Sequence, residues 1–209
     1  MSCRCFCCES AVACWDKRPV SVSEIRSHRG HRPSEILRED ASVGYTFLAG
    51  LCADWEAEAM KAASCADVAL LRTAPLLHPQ AVLKPMILLT RCDLGGPLGS
   101  GDQQWPWLSL EDEVRAIRHI IDNRLTGPVN LSGPMPASAR DIGKALAKRL
   151  NRPYWLPAPA CALRLALGRD VADSLLLADA LVEPGVLLES GSAFLHSTAE
   201  AAIDAALPR

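Results

Sequence analysis

The sequence predicts an α/β fold in which parallel strands are joined by helical crossovers. Three observations carry this. Short apolar runs of strand length alternate with amphipathic helical segments. Three Ser-x-x-Asp/Glu boxes mark helix starts between those runs. Among 209 residues, 49% are apolar and 22% charged, a globular composition that excludes disorder throughout.

Taken in order, residues 16–46 are charged and irregular in pattern, and His28 and His31 are expected in a solvated loop there. From Phe47 the pattern turns helical. Phe47, Leu48, Leu51, Trp55, Ala59 and Ala62 form an apolar stripe, while Asp54, Glu56, Glu58 and Lys61 fall on the opposite, solvated face. Asp67–Leu71 is a short buried strand ending at Arg72-Thr73. Pro75 and Pro79 interrupt regular structure after that strand, and Ala81–Leu89 is either a helix or another buried segment. The Gly95–Gly101 stretch suits only a loop.

Ser109 with Asp112 opens a helix over Leu110–Asn123, Ser138 with Asp141 one over Ala139–Leu150, and Ser197 with Glu200 one over Thr198–Leu207. Gly127–Leu131 is a strand. Ala158–Leu167 is a helix closed by Gly168, the segment Val171–Leu181 comes next, and Phe194-Leu195 is a short strand.

Composition also limits partners. A formal net charge of −2 gives no basic face for nucleic acid, and no stretch reaches the ~20 apolar residues of a membrane span. Of nine cysteines, Cys3, Cys5, Cys7, Cys8 and Cys14 crowd the start. Their C-x-C-x-C-C spacing lacks the two-pair layout of a zinc site, so no metal is expected. Glu9 interrupts the apolar stretch a signal peptide would need, which leaves the cytoplasm as the expected location.

Catalytic motifs are absent. Gly99-x-Gly101 has Gln104 where a third dinucleotide-type glycine would stand, and no apolar strand precedes it. Neither a P-loop, nor a Tyr-x-x-x-Lys pair, nor a Gly-x-Ser-x-Gly elbow occurs. His78, His119 and His196 are far apart, with no assignable carboxylate partner, so the residues alone show no catalytic constellation.

One long segment is more informative. Leu94–Asp112, reading LGGPLGSGDQQWPWLSLED, resembles a branch of atypical extended short-chain dehydrogenases, the NAD(P)-dependent epimerase family proteins. Phe47–Glu56 is similar to that family's FLA-LC-DWE helix, Leu71-Arg72-Thr73 to the end of its LRTG strand, Gly127–Leu131 to its GPVNL, and Tyr154–Gly168 to its LP-PA-ALRL-LG. Ser190–Leu207 resembles its carboxy-terminal helix and short strand.

The resemblance implies an incomplete Rossmann-type parallel sheet over residues 1–132 and a smaller, mainly helical carboxy-terminal substrate domain over 133–209. It implies NADP or NAD as cofactor and a nucleotide-sugar-like small-molecule substrate. Arg72, Thr73, Gln103 and Trp107 are then expected to line the cleft, with Gly99 and Gly101 in the loop beside them, as cofactor- or substrate-binding residues. Trp107 as core packing and Gln103 as a loop hydrogen bond are the competing readings.

The chain departs from the family at its start, where no Gly-x-x-Gly-x-x-Gly turn corresponds, so a truncated, cofactor-deficient oxidoreductase is expected. Ser109 stands in place of the family's usual histidine. The alternative is a non-catalytic interaction module whose exposed sheet edges favour self-association.

Overall fold

The computed structural model describes residues 12–15, 18–24, 32–45, 47–169 and 172–207. The expectations for Cys3, Cys5, Cys7, Cys8, His28 and His31 fall outside them. The chain is α/β, as its alternating pattern predicts.

A four-stranded sheet is built from β1 (Val12–Trp15), β2 (Arg18–Glu24), β4 (Ala69–Thr73) and β5 (Gly127–Leu131), in the order β1-β2-β4-β5. β2, β4 and β5 run parallel, whereas β1 pairs antiparallel with β2. β3 (Arg32–Leu37) pairs in parallel with β6 (Ala180–Val182) to form a second, two-stranded sheet. The irregular stretch expected over 16–46 therefore contains two strands. The period-two Val20-Ser21-Val22-Ser23 was the signal for β2, hidden among charges.

Strand alternation places a helix on each face of β4. Val68 and Leu70 pack with Ala59 of α1 (Phe47–Met60), while Ala69 and Leu71 pack with Ala116 and Ile120 of α3 (Leu110–Asp122). The buried face of α1 is Ala49, Cys52, Glu56 and Ala59, one residue off the expected stripe. Leu48 and Trp55, assigned to the core by periodicity, are 36% and 49% exposed. Glu56 lies inward because Arg72 on β4 needs a counter-charge there.

A second core joins α2 (Leu83–Arg91), α4 (Ala139–Arg149) and α7 (Ala199–Ala206) around Trp105 and Trp107. Leu176 of a π-helical turn at Ala172–Leu176 packs against this second core, α5 (Ala160–Leu167) lies against that turn, and α6 (Gly185–Glu189) packs Leu187 into the first core. Both cores draw residues from either side of residue 132.

The caps explain where helices begin. Ser138 and Asp141 form the full reciprocal box on α4. Ser109 caps α3 from one side only, because the Asp112 carboxylate is turned to another task. α7 is capped by Thr198, whose Oγ1 accepts from Ala201 N at 3.2 Å, rather than by the expected Ser197. Phe194-Leu195 is not a strand; the Leu195 amide goes to Asp112 instead.

Candidate cofactor and substrate site

In open α/β sheets ligands bind beyond the carboxyl ends of parallel strands. Here those ends are Thr73 on β4 and Leu131 on β5, paired in register, with the Ala74 amide still donating to the Leu131 carbonyl. The segment Trp105–Leu108 is bonded to the loops that follow both strands. Leu77 N–H donates to Leu108 O and Leu108 N–H to Pro75 O on one side. Gly133 N–H donates to Trp107 O and Trp105 N–H to Ala137 O on the other. What remains between Trp105, Trp107, Gly133 and Met135 is a crevice of about 10 Å³, room for about one water.

All six expected binding residues have partners within the fold. Arg72 is 6% exposed; its Nε and Nη2 each donate to a Glu56 carboxylate oxygen at 2.8 Å, and Nη1 donates to Glu39 O at 2.9 Å. A fork-on-fork pair of this kind compensates two buried charges at once. The Gln103 amide donates to Leu98 O and Leu176 O, both at 3.0 Å, and accepts from Ser100 Oγ at 3.4 Å. Trp107 is buried, and its indole donates to Met135 O at 3.0 Å. Gly99 and Gly101 adopt φ of 61° and 79°, a left-handed backbone that glycine adopts at least cost. A Cβ at Gly99 would lie 2.6 Å from Leu177.

Thr73 is different. Its hydroxyl donates to Glu113 Oε1 at 3.1 Å, across the gap between the end of β4 and the first turn of α3. The other oxygen, Glu113 Oε2, is buried without a partner. Burial pushes this carboxyl up to about 7, against a smaller downward pull from the Thr73 hydroxyl. Glu113 was not expected in the site. It stands one and two turns before Ile117 and Ile120, and that inward spacing was its only sequence signal.

One turn away lies a second polar cluster. Asp112 is 2% exposed and accepts Leu195 N at 2.6 Å, His196 N at 3.0 Å and Ser109 Oγ at 2.8 Å. The His196 ring places Nδ1 3.0 Å from Ser109 Oγ and 3.3 Å from Asp112 Oδ2. This supplies the carboxylate partner that sequence spacing could not assign. It is not a nucleophile relay, because serine and aspartate meet the same ring nitrogen.

A dinucleotide needs a turn of free backbone amides against its diphosphate. The described residues do not fit that need. A Cβ at Gly133 would meet the Trp107 ring at 2.6 Å, and one at Gly96 would meet the Leu156 backbone at 1.8 Å, so both close approaches are filled by the protein itself. Among the described residues no group of three or more potential ligands could hold a metal, and no helix is long and apolar enough to cross a membrane.

Parallel strands flanked by helices define a Rossmann-type α/β chain. Residues 158–206 match a family model described as a domain of unknown function, DUF1731. Epimerase family protein Mb2239 of Mycobacterium bovis is 39% identical over 193 residues, covering 91% of this chain and 64% of that one. Epimerase family protein YfhF of Bacillus subtilis is 29% identical over 189 residues, covering 90% and 62%. The solved structure of human epimerase family protein SDR39U1 with NADPH superposes with a TM-score of 0.82 at 25% identity, covering 90% of this chain and 64% of that one. A nucleoside-diphosphate sugar epimerase from Corynebacterium glutamicum gives 0.69 at 28% identity, covering 90% and 36%.

The chain belongs to the atypical NAD(P)-dependent epimerase family. It spans under two thirds of the length of these relatives.

Proposed function

We propose that this chain supplies the substrate side of an NAD(P)-dependent epimerase- or dehydratase-type oxidoreductase acting on a nucleotide-sugar-like small molecule, and that its described residues do not make up the cofactor's diphosphate site. The observation behind this reading is the similarity to epimerase family proteins over 91% of the chain. In this reading Thr73, beside Glu113, is the residue that meets the ligand. Arg72, Gln103 and Trp107 act as posts that hold the cleft, and Gly99 and Gly101 as turn residues. A reducing cytoplasm suits the thiols of Cys65, Cys92 and Cys161.

Calorimetric titration of the purified chain with NADPH and with NADH tests the cofactor half of the proposal. No saturable heat is expected from either, and micromolar binding of either overturns it. The substrate half is tested by titrating a nucleoside-diphosphate sugar while following the Thr73 amide by NMR. A saturable shift is expected, and none at millimolar ligand refutes it.

A second reading, a non-catalytic interaction module, is favoured by β1, which has one strand partner among the described residues and so presents an open edge. Concentration-dependent dimers in sedimentation would support it, and a monomer at all concentrations would remove it.

A further inference from the structure

Thr73 closes β4, and its hydroxyl has one partner among the described residues, Glu113 Oε1 at 3.1 Å. Both residues are half-buried. A hydroxyl carries one hydrogen and two lone pairs, so with its hydrogen spent on Glu113 the Thr73 oxygen keeps its lone pairs for another group. The second carboxyl oxygen, Glu113 Oε2, is buried without a partner. A proton on Oε2 would leave a buried O–H unbonded, whereas a proton on Oε1 can be donated to Thr73. The two protonation states of Glu113 therefore set opposite directions for one hydrogen bond. Ionised, Glu113 accepts from Thr73. Protonated, it donates to Thr73 and frees the threonine hydrogen.

That proton exchanges near neutrality. Burial holds the carboxyl up to about 7, and the Thr73 hydroxyl is the lesser cause, acting the other way. The other titratable groups on the surrounding elements are Arg72 of β4, bonded to Glu56; Asp112 of α3, which accepts the Leu195 and His196 amides; and the His196 ring, which meets Ser109. Glu111 is exposed on α3, and Glu24 of β2 stands opposite Thr73 in register.

Resting on the reading of Thr73 as the residue that meets the ligand, we propose that Thr73 and Glu113 form a hydrogen-bond switch matched to an alcohol–carbonyl pair. With Glu113 ionised, Thr73 accepts from a ligand hydroxyl; with Glu113 protonated, Thr73 donates to a ligand carbonyl oxygen. Thr73 touches the ligand, and Glu113 is a positioning residue behind it. An alcohol and a carbonyl are the two forms that an oxidoreductase acting on a sugar interconverts, and the sequence holds no Tyr-x-x-x-Lys pair to meet them.

Thymidine-diphospho-6-deoxyglucose and its 4-keto counterpart, which differ at one carbon and do not titrate between pH 6 and 8, serve as probes in calorimetric titrations of the full chain. The alcohol should bind about tenfold more weakly at pH 6 than at pH 8 and the ketone about tenfold more tightly, because the competent fraction changes by that factor around a value of about 7. Glu113→Gln, which does not titrate, should flatten both profiles while binding persists. Thr73→Val should erase the difference between the two probes at each pH; if it does not fold, Glu113→Gln decides. A purely structural Glu113 would leave the two profiles parallel. Parallel profiles in the parent, or opposed profiles that survive in Glu113→Gln, overturn this proposal and leave the substrate reading standing; no binding of either probe at millimolar concentration overturns both.

Discussion

Glu113 gives the sharpest test of how the strand ends are built. Its carboxyl is half-buried with one unpartnered oxygen, and burial raises it from an ordinary 4.5 to about 7. The unfolded chain releases this proton near the ordinary value, so between roughly pH 4.5 and 7 the folded state holds more protons than the unfolded one. Stability must then fall as pH rises through that window and level off above it.

A difference of about 2.5 units at 1.36 kcal/mol each gives a penalty on the order of 3 kcal/mol above pH 7. Glu113→Gln keeps an acceptor for Thr73 and removes the ionisation. Urea denaturation followed by circular dichroism at pH 5, 6, 7 and 8 is the assay. The variant should exceed the parent by no more than about 1 kcal/mol at pH 5 and by about 1–3 kcal/mol more than that at pH 8. A gap that stays constant from pH 5 to 8 refutes the reasoning, because it would mean that Glu113 does not titrate between those limits.

Three further outcomes are expected from the contacts. Glu56→Gln leaves the Arg72 guanidinium buried against half a partner and should cost about 3–5 kcal/mol in urea unfolding, whereas Glu56→Met with Arg72→Met should cost distinctly less. Gly133→Ala drives a methyl into the Trp107 ring and should destabilise by about 1–3 kcal/mol; an unchanged melting temperature would show that the ring yields freely. Asp112→Ala orphans the Leu195 and His196 amides, so both should lose hydrogen-exchange protection, with a global loss of about 2 kcal/mol.

Local signals carried much of the fold. The strand over Gly127–Leu131 and the Ser138 capping box are products of nearest-neighbour chemistry, and both stand where the pattern puts them. What failed depended on distant partners. The face of α1 was misplaced by one residue because Glu56 reads as solvated until Arg72, sixteen residues on, draws it inward. Asp112 reads as half of a capping box, yet two of its acceptor positions serve amides more than eighty residues away. In the candidate site, Arg72, Gln103 and Trp107 were expected from the family resemblance, and their partners within the fold occupy those groups. Glu113 was overlooked because carboxylates near a helix start are ordinary, and only Thr73 and the burial of Oε2 set this one apart.

The Asp112 clamp has a consequence for how this architecture is inherited. The segment that matches the family model begins at residue 158, yet the turn leading into its last helix is fastened by a carboxylate from the preceding part of the chain. That helix also shares its core with α4, which lies before the segment as well. A recombination breakpoint at residue 157 would thus strand the tail without its anchor, and a viable graft must bring the Ser109–Asp112 corner along.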